Sequence, residues 1–158
     1  MSKINLIYGV GDTLNTHINI NPFVEEESEN VIRGDVVNLD KHVDDSEATE
    51  LIATDVLNYI PLGKCGEAIE NWIKKVRAGG KIVVGGVDLL EVCKDFSQYR
   101  IDITEANLLI HGRQDKPYLH RKNNLTITTL CEYFLSAGLK INKKRIKDYK
   151  MIVEAIKI

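Results

Sequence analysis

The residues best suited to chemistry follow short apolar runs. Gly9 and Gly11 open a Gly-x-Gly-Asp segment that ends in Asp12. A backbone without Cβ atoms can approach a ligand that any other residue would hold off. Asn21 closes a short alternating stretch. Asp35 sits in the run VIRGDVVNL, with Asp40 a second choice a few residues on. These side chains accept hydrogen bonds from hydroxyl or amino groups, although Asp35 can equally cap a turn. Asp55 follows the run LIAT, where a carboxylate serves either a ligand or a helix cap. His111 and His120 stand in a late polar segment. Histidine titrates near neutral pH, which suits a general base. His17 lies inside a strand pattern and His42 in a charged loop, and neither is assigned a role. Tyr59 and Tyr118 can line a pocket or simply pack.

The totals limit the setting for this chemistry. The chain has 158 residues, 44% hydrophobic and 28% charged, with a net charge of −2. That is enough for one domain, 1–158, with one core. No apolar run approaches the ~20 residues that span a bilayer. The N-terminus meets an Asp too soon to read as a signal peptide. Cys65, Cys93 and Cys131 are odd in number and widely spaced. A disulfide framework or zinc site is therefore not expected, and a reducing cytoplasm fits. The charge gives no global nucleic-acid footprint. A basic stretch does occur late, LKINKKRIKDYK. It reads as a lysine-protected edge hairpin rather than a nucleic-acid site.

The positioning elements centre on Leu51 to Val87. This stretch reads as strand, loop, helix, double-glycine stop and second strand. Ile69, Trp72, Ile73 and Val76 recur at helical spacing. Gly79 and Gly80 follow, where a left-handed C-terminal cap is expected. Lys81–Val87 is apolar and β-branched, as a strand covered on both faces should be. The unit is a βαβ crossover, so its strands should be parallel neighbours.

Upstream, KINLIY reads as a first strand and HINI as a second. Only about eight residues separate them, where a parallel crossover normally takes a dozen or more. A third short strand falls within Val31–Leu39. Downstream, Asp88 is placed to cap a helix with Leu89, Val92, Cys93 and Phe96 on its apolar face. A second helix is expected over Thr104–Ile110. A third, capped by Thr126, carries Ile127, Leu130, Phe134 and Ala137. Leu139–Ile146 and Lys150–Ile158 form an antiparallel hairpin around Asp148-Tyr149. This predicts an α/β fold: a doubly wound, mostly parallel sheet with shortened N-terminal crossovers and a C-terminal antiparallel hairpin. Ligands bind such sheets at the carboxyl ends of the strands.

In this order the motifs resemble a small class I S-adenosylmethionine-dependent methyltransferase. NLIYGVGD is similar to that family's first strand and glycine loop. HININ stands where the second strand ends in an acidic residue, and GDVVNL resembles the third strand and its Asp. LIATDVLNYIP resembles the fourth strand. VRAGGKIVVGGVD is similar to the "LKPGG" turn and fifth strand, and HGRQDKPYLHRKNNLTITTLCEYFLSAGLKI to the late loop, helix and strand. The resemblance implies a Rossmann-like fold and S-adenosylmethionine over Gly9, Gly11, Asp12, Asn21, Asp35 and Asp55. It implies a small-molecule or sugar-like acceptor, with His120, His111 and Asp55 as catalytic candidates. Thr13 stands where a third glycine is common. Asn21 replaces the acidic residue that grips the ribose, a loss of charge assistance costing roughly 1 kcal/mol. Asn58-Tyr59 replaces an acidic-aromatic pair. These departures support an alternative, a methyltransferase-fold binding or partner subunit without catalysis. A dehydrogenase-like domain is disfavoured by the missing Gly-x-Gly-x-x-Gly. No lid insertion is visible, so either the acceptor is bound openly or a second subunit, in a homodimer or from a partner protein, completes its pocket.

Overall fold

The computed structural model describes residues 2–158. The chain runs through β1 (Ser2–Leu6), β2 (Ile18–Ile20), β3 (Val31–Ile32), β4 (Ala48–Ala53) and a 3-10 turn (Leu57–Tyr59). It continues through α1 (Leu62–Lys75), β5 (Val76–Val87), α2 (Leu89–Ser97), α3 (Ile103–His111), α4 (Ile127–Ser136), β6 (Lys140–Lys147) and β7 (Lys150–Ile156). The seven strands form one sheet in the order β3-β2-β1-β4-β5-β7-β6. β1 to β5 pair in parallel, and β7 pairs antiparallel with both β5 and β6. The order reverses between β1 and β4, which makes that junction the switch point. This is the α/β sheet with a terminal antiparallel hairpin that the sequence predicts.

Alternation along the strands sorts side chains onto two faces. Ile4, Leu51, Ile82 and Ala155 share one face and are fully buried. Trp72 and Ile69 of α1 and Leu130 and Phe134 of α4 complete that core. Each large side chain buried this way contributes about 1.5–3 kcal/mol. The Trp72 indole N–H also donates to the Val36 carbonyl at 2.7 Å. That bond pins the long β3–β4 connection onto the same face.

The other face receives no helix from the first three crossovers, which hold none. The β1–β2 connection is irregular and is held by two asparagines. Asn19 is fully buried; its amide donates to the Leu14 carbonyl and accepts from the Leu14 N–H. Asn5 donates to Asn19 and to the Asp12 carbonyl. Two amides thus satisfy backbone groups that a helix would have paired internally. Further across this face, Glu50 meets His17 at 2.6 Å and Lys81 at 2.9 Å. Burial works against the Glu50 charge, but hydrogen bonds from Lys81 and His17 outweigh it and hold the carboxyl below its ordinary value.

Several local expectations are corrected. Gly79 and Gly80 do not cap α1. The helix ends at Lys75, its C-cap Val76 is already extended, and the glycines fall inside β5. Gly79 has φ of +80° at the irregularity in the β4–β5 register. A side chain on Gly80 would strike Val76 and the Thr49 carbonyl. Val76 therefore packs from the strand, not from the helix. GDVVNL is not a strand: β3 stops at Ile32, and Asp35 lies in the turns beyond it. In α2 only Val92 is buried, while Cys93 and 43% of Phe96 face outward. Ala137 caps α4 and is exposed.

Candidate functional site

β1 delivers Tyr8 and Gly9 to the switch point, and β2 delivers Asn21. Gly9 has φ of +77°, a conformation glycine adopts without strain. Asn21 is spent on this loop. Its Oδ1 accepts from the Gly9 N–H at 3.1 Å and the Phe23 N–H at 3.0 Å, and its Nδ2 donates to the Gly9 carbonyl at 3.3 Å. The amide does what a carboxylate could do only in part, since a carboxylate has no donor for the carbonyl.

Aromatic rings fill the space above the loop. Tyr8 stacks on Tyr59 with centroids 4.9 Å apart, and Phe23 stacks on Tyr118 at 3.8 Å. Tyr8 meets Phe23 edge-on at 4.9 Å. A Cβ built on Gly9 would lie 2.6 Å from the Tyr118 ring. Burial raises the phenol pKa of Tyr8; for Tyr59, burial and the nearby Asp55 charge do the same. Asp55, after β4, accepts from Arg121 at 3.1 Å, and that guanidinium lies 5.1 Å from the Tyr59 ring centre. The Arg121 side chain is 10% exposed, and its Nε has no hydrogen-bond partner among the described residues.

A buried polar network ties this group to the late loop. Asn58 is 1% exposed. Its Oδ1 accepts from Val87 N–H at 2.9 Å, and its Nδ2 faces Asn123 Oδ1 at 3.3 Å and the Asn123 carbonyl at 3.4 Å. Asn123 donates in turn to the carbonyls of Leu57 and Ile60. Beside them, burial pushes the Cys65 thiol up to about 11. Segment 113–124 is thereby fastened across the ends of β4 and β5.

The sequence-predicted residues divide. Gly9, Asn21, Asp55, Tyr59 and Tyr118 come together, Asp55 through Arg121. Asp12 is exposed, and its carbonyl accepts from Asn5. Gly11 is exposed, and a Cβ built on it would lie 3.1 Å from the Ile7 side chain. Asp35 is exposed and accepts from the Val37 N–H at 2.8 Å, so it closes its own turn. Asp40 pairs with Lys75. His111 and His120 are exposed, with parallel rings 6.1 Å apart and no side-chain hydrogen bond among the described residues. Tyr8, Phe23, Arg121 and Asn123 were not foreseen as site residues, and Asn58 was named only as a departure from the acidic-aromatic pair. For the aromatic group the sequence signals were Tyr59 and Tyr118, named as pocket candidates, with Tyr8 in the run NLIYG carrying a further one.

A cavity of about 750 Å³ lies elsewhere, at the amino ends of β1 and β2 beside Lys3 and His17. Among the described residues, no group of His, Cys, Asp or Glu could hold a metal ion. No helix among them is long and apolar enough to cross a membrane.

No protein-family model and no curated protein matches the sequence. Solved structures do match. One is a 1,6-didemethyltoxoflavin-N1-methyltransferase from Burkholderia thailandensis with bound 1,6-didemethyltoxoflavin and S-adenosylhomocysteine. It has a TM-score of 0.60 and 11% identity over 99% of this chain and 71% of that one. Another is a methyltransferase of Haloferax volcanii, described as putative, in complex with the Trm112 methyltransferase activator. Its TM-score is 0.60 at 10% identity, over 98% of this chain and 82% of that one. An O-methyltransferase family protein from Burkholderia thailandensis has a TM-score of 0.55 at 12% identity over 80% of this chain. The match covers only 35% of that longer protein. At these identities the likeness is one of fold: the chain has the α/β architecture of the class I methyltransferases.

Proposed function

We propose that the carboxyl ends of β1, β2 and β4 form an S-adenosylmethionine site, and that the chain is a methyltransferase acting on a small-molecule acceptor. The observation that carries this reading is the convergence of Gly9, Asn21, Asp55 and four aromatic rings on one switch point. Rings stack on an adenine and offer a face to a cation such as a sulfonium. Asn21 would exchange its bonds to Gly9 and Phe23 for the ribose hydroxyls. Asp12 and Asp35 would contact the cofactor from the flanking loops. The cofactor supplies the methyl group. The acceptor oxygen or nitrogen would be held by the late loop and would take the methyl group, leaving S-adenosylhomocysteine, while His120, with His111 beside it, would take the proton the acceptor loses.

The residues fit the cofactor only after Tyr118 leaves Gly9. Breaking the Phe23–Tyr118 stack costs about 0.5–1.5 kcal/mol. Releasing the Asn21 bonds costs roughly 1 kcal/mol each before new ones form. Binding should therefore be weak, and Tyr118→Ala should strengthen it by about two- to twelvefold. Calorimetric titration with S-adenosylmethionine and S-adenosylhomocysteine tests this in both proteins. Tighter binding in the variant supports the enzyme reading, and an acceptor screen with His120→Ala follows.

A second reading is favoured by one specific observation, the full internal use of Asn21 beneath a ring-filled cleft. In it the chain is a methyltransferase-fold partner subunit, without catalysis. Absence of heat at millimolar ligand in both proteins selects it.

A further inference from the structure

Parallel strand pairs, such as β4 and β5, are usually covered on both faces, whereas antiparallel ones often leave one face to solvent. Here the face opposite the core carries Ile52, Val83 and Ile152, none of which joins the core cluster and each of which is partly exposed. The register places Ile52 beside Val83, Val83 beside Glu154, and Ile152 beside Arg145. A groove of about 670 Å³ runs over this surface, between the apolar floor and the β6 strand.

The wall of the groove is basic. Lys143 and Arg145 lie on this face opposite Glu154 and Ile152, and Lys147 pairs with Lys150 one step further along. None of these four cations forms an ion pair with a described residue. The acid in the groove, Glu154, is already answered by Asn142 at 2.6 Å and Lys81 at 3.8 Å. An apolar floor with an uncompensated positive wall has a definite complement.

We propose that an acidic amphipathic helix of a partner protein covers this face. Its apolar side would lie on Ile52, Val83 and Ile152, and its carboxylates would face Lys143, Arg145 and Lys147. The helix would cover the β4, β5, β7 and β6 end of the sheet, away from the first crossovers. A second copy of the chain would bring the same basic hairpin against this one, and like charges disfavour it. A nucleic acid would leave the apolar floor unused. The one aromatic residue of the hairpin, Tyr149, has its hydroxyl tied to Asp95.

The test uses the full chain and two labelled helical peptides of about 18 residues, long enough to cross the sheet. Both carry the same leucine stripe, one flanked by glutamates and the other by lysines. A single-stranded oligonucleotide is the third probe. Fluorescence anisotropy is expected to show saturable binding of the glutamate peptide only. That binding should weaken by on the order of tenfold between about 50 and 300 mM salt. The exposed double variant Lys143→Glu, Arg145→Glu, checked for folding by circular dichroism, should weaken it by a similar factor. No saturable binding of the glutamate peptide, binding indifferent to the double variant, or tighter binding of the oligonucleotide overturns the proposal.

Discussion

Asn58→Asp changes one atom of the buried network and should act through a proton. Asn58 Oδ1 accepts from Val87 N–H, and a carboxylate keeps that bond. The other oxygen would replace Nδ2, which faces two acceptors, the carbonyl and Oδ1 of Asn123. An ionised carboxylate would there meet like partial charges in a site only 1% exposed. The carboxyl therefore stays protonated in the folded protein, where its O–H can donate to Asn123. In the unfolded chain it ionises with a pKa of about 3.9. Holding the proton at pH 7 then costs about 1.36 × (7 − 3.9), or roughly 4 kcal/mol, and at pH 5 about 1.5 kcal/mol. The folded pKa is the raised one, so the penalty is absent below about pH 4 and grows as pH rises.

Urea unfolding followed by circular dichroism at both pH values measures the difference directly. The Tm at pH 7 should fall by about 8–16 °C. Asn58→Ala removes the same amide without adding a proton, and its deficit should not change with pH. An Asn58→Asp deficit that is equal at pH 5 and pH 7, or stability matching the parent, would refute the reasoning.

Other outcomes follow from single groups. Asp88 is 1% exposed and its two oxygens accept from Glu91 N–H of α2 and Ile127 N–H of α4. Asp88→Ala should cost about 2–4 kcal/mol by thermal unfolding, and Asp88→Asn about half, because an amide keeps one acceptor. The Glu50 carboxyl is held below its ordinary value of 4.5, and Lys75 holds Asp40 and Asp45 low as well. Their stabilisation is present above the ordinary carboxylate range and lost as pH falls through it. Acid unfolding should steepen below about pH 4.5, and Glu50→Gln should flatten that fall. A parent curve level down to pH 3 would contradict the assignment.

Much of the fold could be read from local signals. Asp88, Asp102 and Thr126 each cap a helix by accepting from the N–H three residues on. Asp102 was not named beforehand, although the helix it starts was. The βαβ unit and the hairpin follow from periodicity, because apolar spacing registers directly which face of an element is buried. The hairpin turn takes positive φ at both Asp148 and Tyr149, as a tight two-residue connection requires. The double glycine misled for a local reason. A helix cap and a strand irregularity both ask for positive φ, and the residue type does not distinguish them.

The candidate site was less legible. Gly9, Asn21 and Asp55 could be placed at strand ends by counting. What each does there depends on partners far away in sequence. Asn21 is used by Gly9 and Phe23, Asp55 by Arg121, and Asn58 by Val87 and Asn123. Tyr118 reaches Gly9 across more than a hundred residues of chain. The sequence by itself determined the order of strands and helices, because period, caps and turns are properties of neighbouring residues. Only the tertiary structure decided which polar groups are free and which are spent, and which sheet face stays bare. Hydrogen-bond satisfaction and burial depend on what the fold brings together from distant parts of the chain.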